Sequence, residues 1–434
     1  MQWFASEFGC EEGDFQVTQQ QLFSYDYKDN ILTSSKSKQT FFVGEFTTPS
    51  VGELAAMLTA LPAAITEEDK EKETEGKEKK KSNLAFLNIT GDVRTFHRLP
   101  ENAGAVFQVA SQFNCLEMVG PGVTPQHGVT GYAMDHTQGP ACALSCPAGT
   151  VYRNYFVPVN AKGVAQTSKE GAVSTGQGTR QIDTLYGVGE ILGNNGSKKS
   201  WDMKNGYCLP VTNKSIAEVG SRILSGVPSQ EDALSGSLLL SMTPQGEVGP
   251  GAPACPPSLA PFTEPLPPTA PLFLSCLQAL RVGVHWDTEV SVKSAKSKAT
   301  EGGEKRRQSV CQVYASAVPV AYAKSTTSTD WQPFASLVLQ GAYLATFAVA
   351  AVLAAQRKKR VTVYLTSLGG GAFGNRHAWI VGAVRQALQV FRDAPLDVRM
   401  VNYSAVRSEY KELEKTPGIQ VGVYGLVGTA PKKA

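Results

Sequence analysis

The fold is decided by residues 361–388, which read VTVYLTSLGGGAFGNRHAWIVGAVRQAL. Their first part, 361–368, is rich in β-branched and apolar residues and predicts a buried strand. Four glycines then form a turn with Ala372 and Phe373, and an amphipathic helix is predicted from about Asn375. Bare backbone N–H groups between a strand and a helix attract anions. The stretch therefore predicts a strand–helix unit with a candidate phosphate-binding loop.

The loop matches neither of two common phosphate-binding motifs. It lacks the GK[ST] of a Walker loop, and GGGAFG lacks the GxGxxG spacing of a dinucleotide fingerprint. Glycine-rich turns between a strand and a helix are also common as purely structural connections. The loop by itself leaves both interpretations open.

Alternating strands and helices surround this unit. Strands are predicted at 310–321, 361–368 and 396–403, with helices at 334–355 and 376–392 between them. This order is typical of βαβ units and a parallel sheet, whose ligands bind at the carboxyl ends of the strands. Earlier segments predict a helix capped by Ser50 and reaching Leu61, and strands at 41–46, 84–89, 105–113 and 282–292.

The helix at 334–355 has two interpretations. It contains no charged residue and precedes Arg357-Lys358-Lys359-Arg360, which is the pattern of a membrane span with a positive flank. Polar residues interrupt it, however, and a β-branched strand follows at once, which favours a helix buried against a sheet. We therefore expect no membrane association.

Three stretches of unusual composition are predicted to be loop insertions. Residues 67–81 contain 13 charged residues out of 15, residues 244–271 hold ten of the 25 prolines, and residues 293–307 are basic. The first contributes −1 and the third +4 to the net charge of +3, so the rest is neutral. Such a balance does not suit a nucleic-acid binder. The remaining sequence predicts an extension at 1–66 that packs on one domain at 83–434.

The cysteines and the amino terminus predict an intracellular protein. Eight cysteines lie scattered without a CxxC pair, and Cys142 and Cys146 lack the further ligands of a zinc site. So few cysteines in a long chain fit reduced thiols. The first residues contain no apolar signal segment. We expect a cytoplasmic location, with a nuclear one left open, and no metal or other cofactor.

Several short motifs together resemble the macro domains, the ADP-ribose-binding family. Gly371-Ala372-Phe373-Gly374 resembles the second phosphate loop of that family. Thr90-Gly91-Asp92-Val93 resembles its Gly-Asp-Ile-Thr segment, in which the aspartate receives the adenine amino group. Residues 107–117, FQVASQFNCLE, resemble the strand that leads into its Asn-Ala-Ala-Asn turn, with Asn114 as the best-matched asparagine. The similarity covers roughly residues 83–130 and 305–405, and its motifs follow the family's order.

The resemblance implies a fold and a ligand. The fold would be a three-layer α/β/α sandwich of macro-domain type, with an N-terminal α+β extension and long loop insertions. The ligand would be ADP-ribose or a related nucleotide. Asp92 would accept a hydrogen bond from adenine, Asn114 would bind ribose hydroxyls, and Phe373 would flank the distal ribose. The diphosphate would lie on Gly369, Gly370, Gly371, Ala372, Gly374 and Asn375.

Departures from the family leave catalysis open. Residues 111–114 read SQFN in place of the Asn-Ala-Ala-Asn turn, and residues 119–132 replace the glycine-rich segment after it. Poly(ADP-ribose) glycohydrolases place paired glutamates after a triple glycine in the first loop, whereas here the triple glycine lies in the second. The chain is thus either a non-catalytic reader of ADP-ribose or a hydrolase of ADP-ribosyl linkages. Hydrolysis builds positive charge at the anomeric carbon, for which the candidate carboxylates are Glu117, Asp135, Asp287 and Glu289.

Residues 111–156 hold a dense set of polar and small residues. A helix is predicted to begin near Gly139, and its first N–H groups could bind an anion. Gln138 and Arg153 are assigned to ligand binding, Arg153 as a clamp for a phosphate or carboxylate. The alternative is a tightly packed helix with Arg153 in an internal ion pair.

A thiol hydrolase is the competing interpretation. Gln138 precedes Cys142 at a predicted helix start, as in papain-like enzymes, and His285 and Asp287 follow in a suitable order. A helix N-terminus lowers the pKa of a thiol, and a histidine completes the pair. Alternation predicts His285, Asp287 and Glu289 on one face of a strand. The βαβ order of the C-terminal part does not suit a papain-like fold.

Overall fold

A computed structural model describes residues 2–61, 83–194, 196, 198–212, 214–241, 259, 262–264, 266–291, 308–323 and 326–422. Its strands, in chain order, are β1 Phe23–Asp26, β2 Ile31–Ser34, β3 Thr40–Phe42, β4 Phe46–Thr47, β5 Ala85–Thr90, β6 Val106–Ala110, β7 Pro158–Val159, β8 Ser174–Thr175, β9 Trp201–Lys204, β10 Tyr207–Pro210, β11 Gly283–Glu289, β12 Ser309–Ala315, β13 Val361–Leu365, β14 Leu396–Asn402 and β15 Gln420–Val421. Its α-helices are α1 Gln2–Phe8, α2 Phe15–Val17, α3 Val51–Thr59, α4 Val93–Arg98, α5 Gln138–Ser145, α6 Pro147–Tyr155, α7 Tyr186–Ile191, α8 Ser215–Ile223, α9 Gln230–Ser235, α10 Leu238–Ser241, α11 Leu272–Ala279, α12 Ser328–Arg357, α13 His377–Val390 and α14 Ser408–Lys411.

One eight-stranded sheet organises these residues. Its strand order is β15–β5–β14–β13–β6–β12–β11–β4. The six strands from β15 to β12 run parallel, whereas β11 pairs antiparallel with both of its neighbours. Parallel neighbours need a crossover connection, and α12 and α13 supply those from β12 to β13 and from β13 to β14. The predicted βαβ arrangement of the C-terminal part is confirmed.

Apolar side chains cover both faces of this sheet. Along β6, Val106 belongs to one buried cluster and the next residue, Phe107, to the other, as the alternation of a strand requires. The first cluster includes side chains of α3, α12 and α13, and the second includes side chains of α4, α5 and α6. The fold is therefore of the mixed α/β class, with helices against both faces of a largely parallel sheet.

The apolar helix predicted at 334–355 is α12, which is longer than expected. It begins at a capping box in which the side chains of Thr327 and Asp330 each accept from the other's backbone N–H. It is long and apolar enough to cross a membrane, but its apolar part is entirely buried within the structure. Contacts with α3, α8 and α13 surround it. Its apolar composition is thus explained by packing inside the protein.

The polar residues that interrupt α12 hold the end of β13. The Tyr343 hydroxyl donates to the Thr366 carbonyl at 2.6 Å and accepts from the Leu368 N–H at 3.1 Å. Thr346 accepts a hydrogen bond of 3.0 Å from the Gln108 amide on β6. Because Thr366 and Leu368 lead into the glycine-rich turn, the central helix fixes the base of that turn.

Five predicted strands differ from the structure by more than one residue. Four of them are shorter than predicted, since β6 ends at Ala110, β11 at Glu289, β12 at Ala315 and β13 at Leu365. The strand predicted at 41–46 is divided between β3, in a small sheet with β1 and β2, and β4 in the central sheet. Gly44 lies between them with φ 74°, and a Cβ there would be 2.0 Å from the carbonyl oxygen of Asp287. Because only a glycine can approach the Asp287 carbonyl so closely, the chain bends at Gly44 and leaves the small sheet for the central sheet.

The amino-terminal segment packs on the second cluster through aromatic rings. The centroid of Phe8 lies 4.9 Å from that of Phe4 and 5.1 Å from that of Phe41. β4 adds the last strand of the central sheet, so this segment is tied to the core in two ways. The charged stretch at 67–81 and the basic one at 293–307 lie outside the described residues, as does most of 244–271.

Candidate functional site

Five parallel strands end side by side at one edge of the central sheet. Asp92 comes shortly after β5, Tyr403 follows β14, Ser111 follows β6 and Ser316 follows β12, while the glycine-rich residues follow β13. Neighbouring strands lie about 4.8 Å apart, so these segments form a row of about 20 Å. We call this row the carboxyl edge, and it is where parallel sheets bind their ligands.

The glycine turn, Gly369–Gly374, has a shape that requires its glycines. Gly369 and Gly374 have φ values of 69° and 71°, in the left-handed region that favours glycine. A Cβ at Gly369 would lie 2.4 Å from the Cβ of Ala317, which follows β12. The turn is therefore pressed against the segment after β12, two strands away from β13 in the sheet, and a side chain at this position would displace the turn.

The backbone N–H groups of this region divide into two sets. One set closes hydrogen bonds of 2.9–3.0 Å within the turn, donated by Gly370, Gly374 and Asn375. A second set donates to no described residue and comprises the N–H groups of Gly369, Gly371, Ala372 and Phe373. Gly371 and Ala372 are exposed, and a Cβ at Gly371 would meet nothing within 4 Å. Three consecutive donors without partners, two of them on exposed residues, lie before α13 and can bind an anion.

Asn375 joins the glycine turn to the segment after β12. Its Nδ2 donates to the carbonyls of Val318 and Gly369 at 2.9 and 3.3 Å. The Ala321 N–H also donates to the Phe373 carbonyl at 3.0 Å. Asn375 is only 3% exposed, and its Oδ1 has no hydrogen-bond partner among the described residues. It therefore fixes the turn and leaves one buried acceptor beside it.

Three aromatic rings, Tyr207, Tyr322 and Phe373, form an aromatic cluster at one end of the turn. Their centroids lie 5.3, 5.5 and 5.6 Å apart in pairs. The Tyr207 hydroxyl donates to the Met118 carbonyl at 2.7 Å, and Tyr322 is 37% exposed. The sequence predicted a role for neither Tyr207 nor Tyr322. Tyr207 lies on the hairpin of β9 and β10, which was not predicted. The cluster offers an apolar face suited to a sugar or a base.

Asp92 caps α4 and is held by Arg94. Its carboxylate accepts from the Arg94 N–H at 2.8 Å and from the guanidinium at 2.6 Å. Burial alone would raise the pKa of Asp92, but the hydrogen bonds from Arg94 outweigh it and hold the pKa below its usual range. Tyr403 is 82% exposed. The pKa of Arg94 is raised mainly by Asp92 and to a smaller extent by Tyr403. An ionised acceptor and an exposed ring thus lie near one another at this end of the carboxyl edge.

Asn114 is buried, and its amide is engaged inside the protein. Its Oδ1 accepts from the Leu116 N–H at 3.1 Å, and its Nδ2 donates to Gln181 at 3.0 Å. Gln181 in turn donates to Asn205 at 2.9 Å, beside a cavity of about 280 Å³. That cavity has walls of mixed charge, including Arg180, Asp183 and Lys204. The structure does not present the predicted ribose ligand Asn114 at the surface of the carboxyl edge.

Gln138 completes the end of a strand. Its Oε1 accepts from the Ala110 N–H at 2.9 Å, and its Nε2 donates to the Gln108 carbonyl at 2.8 Å. Gly139 follows it, and a Cβ there would be 1.8 Å from the Ala110 carbonyl oxygen. The start of α5 therefore seals the carboxyl end of β6, and Gln138 has a structural contact where ligand binding was predicted.

Arg153 lies in the internal ion pair that was the alternative to a ligand clamp. Arg153 and Glu117 are both buried, with 3.5 Å between Arg153 Nη2 and Glu117 Oε2. Arg153 Nε also donates to the Cys115 carbonyl at 2.9 Å, and its guanidinium lies 3.7 Å from the ring centre of Tyr314. Burial raises the pKa of Glu117 to about 8, although Arg153 acts in the opposite direction.

The four candidate carboxylates lie in different places. Glu117 is buried in the pair just described. Glu289 is paired in register with Ser309 at the amino end of β12, and Asp287 lies close by, so both lie at the opposite end of the strand from the glycine turn. Asp135 is half-buried. The pKa of Tyr207 is raised mainly by burial, then by Tyr322, and to a smaller extent by Asp135. Of the four, Asp135 is the one near the aromatic cluster and within reach of solvent.

The geometry of Cys142 does not support a thiol nucleophile. The thiol is fully buried, receives a hydrogen bond from Gln138 Nε2 at 3.0 Å, and has a pKa raised well above its usual value by burial. Reactive thiols are partly exposed and have a lowered pKa. His285 is likewise buried, its ring centroid 4.6 Å from that of Phe46, and burial followed by Arg153 lowers its pKa.

The predicted alternation along β11 is wrong. A β-bulge interrupts the pairing with β12 between His285 and Thr288. A Cβ at Gly149 would lie 3.2 Å from His285 Nε2 and 2.9 Å from Thr288 Oγ1. These two side chains therefore face the same helix, α6, although alternation placed them on opposite faces.

Comparisons with known proteins identify no relative. No family model, no curated protein and no solved structure matches the chain. Within the described residues, no group of three or more His, Cys, Asp or Glu side chains is arranged to hold a metal ion.

Proposed function

We propose that this protein binds ADP-ribose, or a closely related nucleoside diphosphate sugar, along the carboxyl edge. The observation that carries the proposal is the row of N–H groups at Gly371, Ala372 and Phe373, which donate to no described residue and precede α13. Such donors match the oxygens of a diphosphate and need no lysine or metal ion. The rigid base of the turn, held by α12, keeps these donors in place before a ligand arrives.

The groups on either side of the turn suit the two ends of such a ligand. Asp92 and Tyr403 follow β5 and β14, on one side of β13, and supply an acceptor and a ring for a purine. The aromatic cluster at Phe373 lies at the end nearer β12 and would face the distal ribose. An extended nucleoside diphosphate sugar can lie along a row of this length. The proposal assigns no contact to Asn114, Gln138 or Arg153, because their polar groups are bonded inside the protein.

Calorimetric titration with ADP-ribose tests the proposal. We expect binding to the wild-type chain, and weakening by at least about tenfold in Gly371→Asp, because two negative charges about 4 Å apart repel by about 4 kcal/mol near a protein surface. The added side chain has room, since a Cβ at Gly371 meets nothing within 4 Å. Gly122→Asp adds the same charge at another open position and should leave affinity unchanged. Absence of heat at high micromolar ADP-ribose would refute the proposal.

Hydrolysis of an ADP-ribosyl linkage is the second candidate, and the position of Asp135 favours it. A carboxylate near the distal ribose could stabilise positive charge at the anomeric carbon or orient a water molecule. Incubation with an ADP-ribosylated protein should then release ADP-ribose, and Asp135→Asn should abolish release while ADP-ribose still binds. Binding without release by the wild-type chain would make the protein a non-catalytic reader.

A further inference from the structure

Three side chains from separate elements form a hydrogen-bonded chain under the glycine turn. The Ser367 hydroxyl, just after β13, contacts the Tyr410 hydroxyl on α14. That same hydroxyl lies 2.7 Å from Nδ1 of His377, the first residue of α13. We call this arrangement the Ser–Tyr–His chain. It plays no part in the contacts described so far, and sequence reasoning assigned no role to any of its members.

Both ends of the Ser–Tyr–His chain border the glycine turn. A Cβ at Gly370 would lie 2.5 Å from Ser367 Oγ and 3.1 Å from His377 Cε1. Tyr410 is buried, whereas Ser367 and His377 are half-buried. The middle of the chain is therefore shielded from water, while its two ends lie beside the turn that carries the unpaired N–H groups.

The chain can carry its hydrogen bonds in either direction. With a neutral imidazole, the Tyr410 O–H donates to His377 Nδ1, and the ring proton resides on Nε2. With a protonated imidazole, His377 Nδ1–H donates to the Tyr410 oxygen, and the Tyr410 O–H turns to Ser367. The Ser367 O–H is then free to point outward as a donor. Protonation of His377 thus adds a donor at the serine end and a positive charge at the histidine end.

Burial and a neighbouring cation disfavour the protonated form of His377 in the free protein. Burial, followed by Arg407, lowers the pKa of His377, and Glu409 acts weakly in the opposite direction. Burial also raises the pKa of Tyr410 to about 12, so its hydroxyl remains protonated. An anion on the glycine turn would add the negative charge that the imidazolium lacks.

We propose that the Ser–Tyr–His chain is a titratable contact for the diphosphate on the glycine turn, so that ligand binding takes up one proton at His377. This inference rests on the proposed function and adds to it a dependence of affinity on pH. Affinity is expected to rise as the pH falls through the range between the pKa of His377 in the complex and that in the free protein. Uptake of a single proton limits the change to tenfold for each pH unit.

The direct test is an NMR titration of His377 with and without inorganic pyrophosphate. The protein has five histidines, so His377→Gln identifies the resonances that belong to position 377. Pyrophosphate is expected to raise the pKa of His377. If calorimetry shows that pyrophosphate binds and the pKa of His377 stays the same, the inference is wrong and the proposed function stands. If neither pyrophosphate nor ADP-ribose binds, both are wrong.

A second test measures protons in the binding reaction itself. Calorimetry with ADP-ribose in two buffers of different ionisation enthalpy should show uptake of up to one proton per ligand by the wild-type chain. His377→Gln should bind with no such uptake and with an affinity that no longer depends on pH between 5.5 and 8. The control His127→Gln, at an exposed histidine elsewhere, should retain the uptake. Equal proton uptake in His377→Gln and the wild type would overturn the inference.

Discussion

At the scale of single residues, the Glu117–Arg153 pair is a costly feature of the interior. Both side chains are buried, and neither Glu117 oxygen makes a hydrogen bond of good geometry, since the closest guanidinium nitrogen is 3.5 Å away. Taking two charges out of water costs more than a long ion pair returns. The raised pKa of Glu117, about 8, means that the pair avoids part of this cost by keeping the carboxyl protonated at neutral pH.

This raised pKa predicts how stability depends on pH. In the unfolded chain Glu117 loses its proton near its usual value of 4.5, but in the folded protein near 8. Folding therefore takes up a proton between these values, and the free energy of unfolding falls as the pH rises through this window. Glu117→Gln cannot titrate, so its stability should fall less between pH 5 and 8.5. At pH 6 the substitution should cost about 1 kcal/mol or less, because it replaces a neutral group.

Denaturant unfolding at a series of pH values checks this prediction. Glu170→Gln, which replaces an exposed glutamate, should keep the wild-type dependence on pH. A loss of about 3–5 kcal/mol in Glu117→Gln at pH 6 would instead indicate a charged pair broken by removal of one partner. That outcome, or an unchanged dependence on pH, would contradict the protonated state proposed for Glu117.

At the scale of elements, the C-terminal strands and helices were predictable and the site was predictable only in part. β13 is rich in apolar and β-branched residues, β14 alternates buried and partly exposed residues, and the spacing of apolar residues marks α13, so local sequence was sufficient. The strand at 41–46 was mispredicted because its division depends on a contact between Gly44 and Asp287, far away in the chain. The glycine turn is a local motif and was found. The aromatic cluster and the Ser–Tyr–His chain bring together distant residues, and no local pattern marks them.

The central helix predicts a coupling between the core and the glycine turn. Tyr343→Phe removes the hydroxyl that holds Thr366 and Leu368, whose carbonyl and N–H then keep only the 2.9 Å hydrogen bond between them. We expect a loss of about 1–2 kcal/mol in the free energy of unfolding, because two hydrogen bonds are removed. ADP-ribose affinity should fall as well, because the turn loses its fixed base. Denaturant unfolding and calorimetry measure the two effects.

The matched control for this element is Tyr186→Phe on α7, whose hydroxyl makes no hydrogen bond among the described residues. It should change neither stability nor affinity appreciably. A Tyr343→Phe variant that loses stability but binds ADP-ribose with wild-type affinity would show that α12 supports the core without positioning the turn.

At the scale of the whole molecule, charge and fold belong to different parts of the sequence. The net charge of +3 arises in the stretches at 67–81 and 293–307, whereas the rest of the chain is neutral. The second stretch connects β11 to β12, which are antiparallel neighbours with Glu289 opposite Ser309. The Val290 N–H donates to the Gln308 carbonyl at 2.8 Å, so the two ends of this connection are already adjacent. A short turn can join such strands.

Replacing residues 293–307 by four residues such as Gly-Ser-Asn-Gly should therefore preserve the fold. Shortening a connection of this length changes the free energy of unfolding by only about 1 kcal/mol. The melting temperature and the affinity for ADP-ribose should stay near the wild-type values, because the neutral core and the carboxyl edge are untouched. Retention on a polyanion column should fall, since the stretch carries a charge of +4. Unchanged retention would place the basic surface elsewhere, and a loss of ADP-ribose binding would make this stretch part of the site.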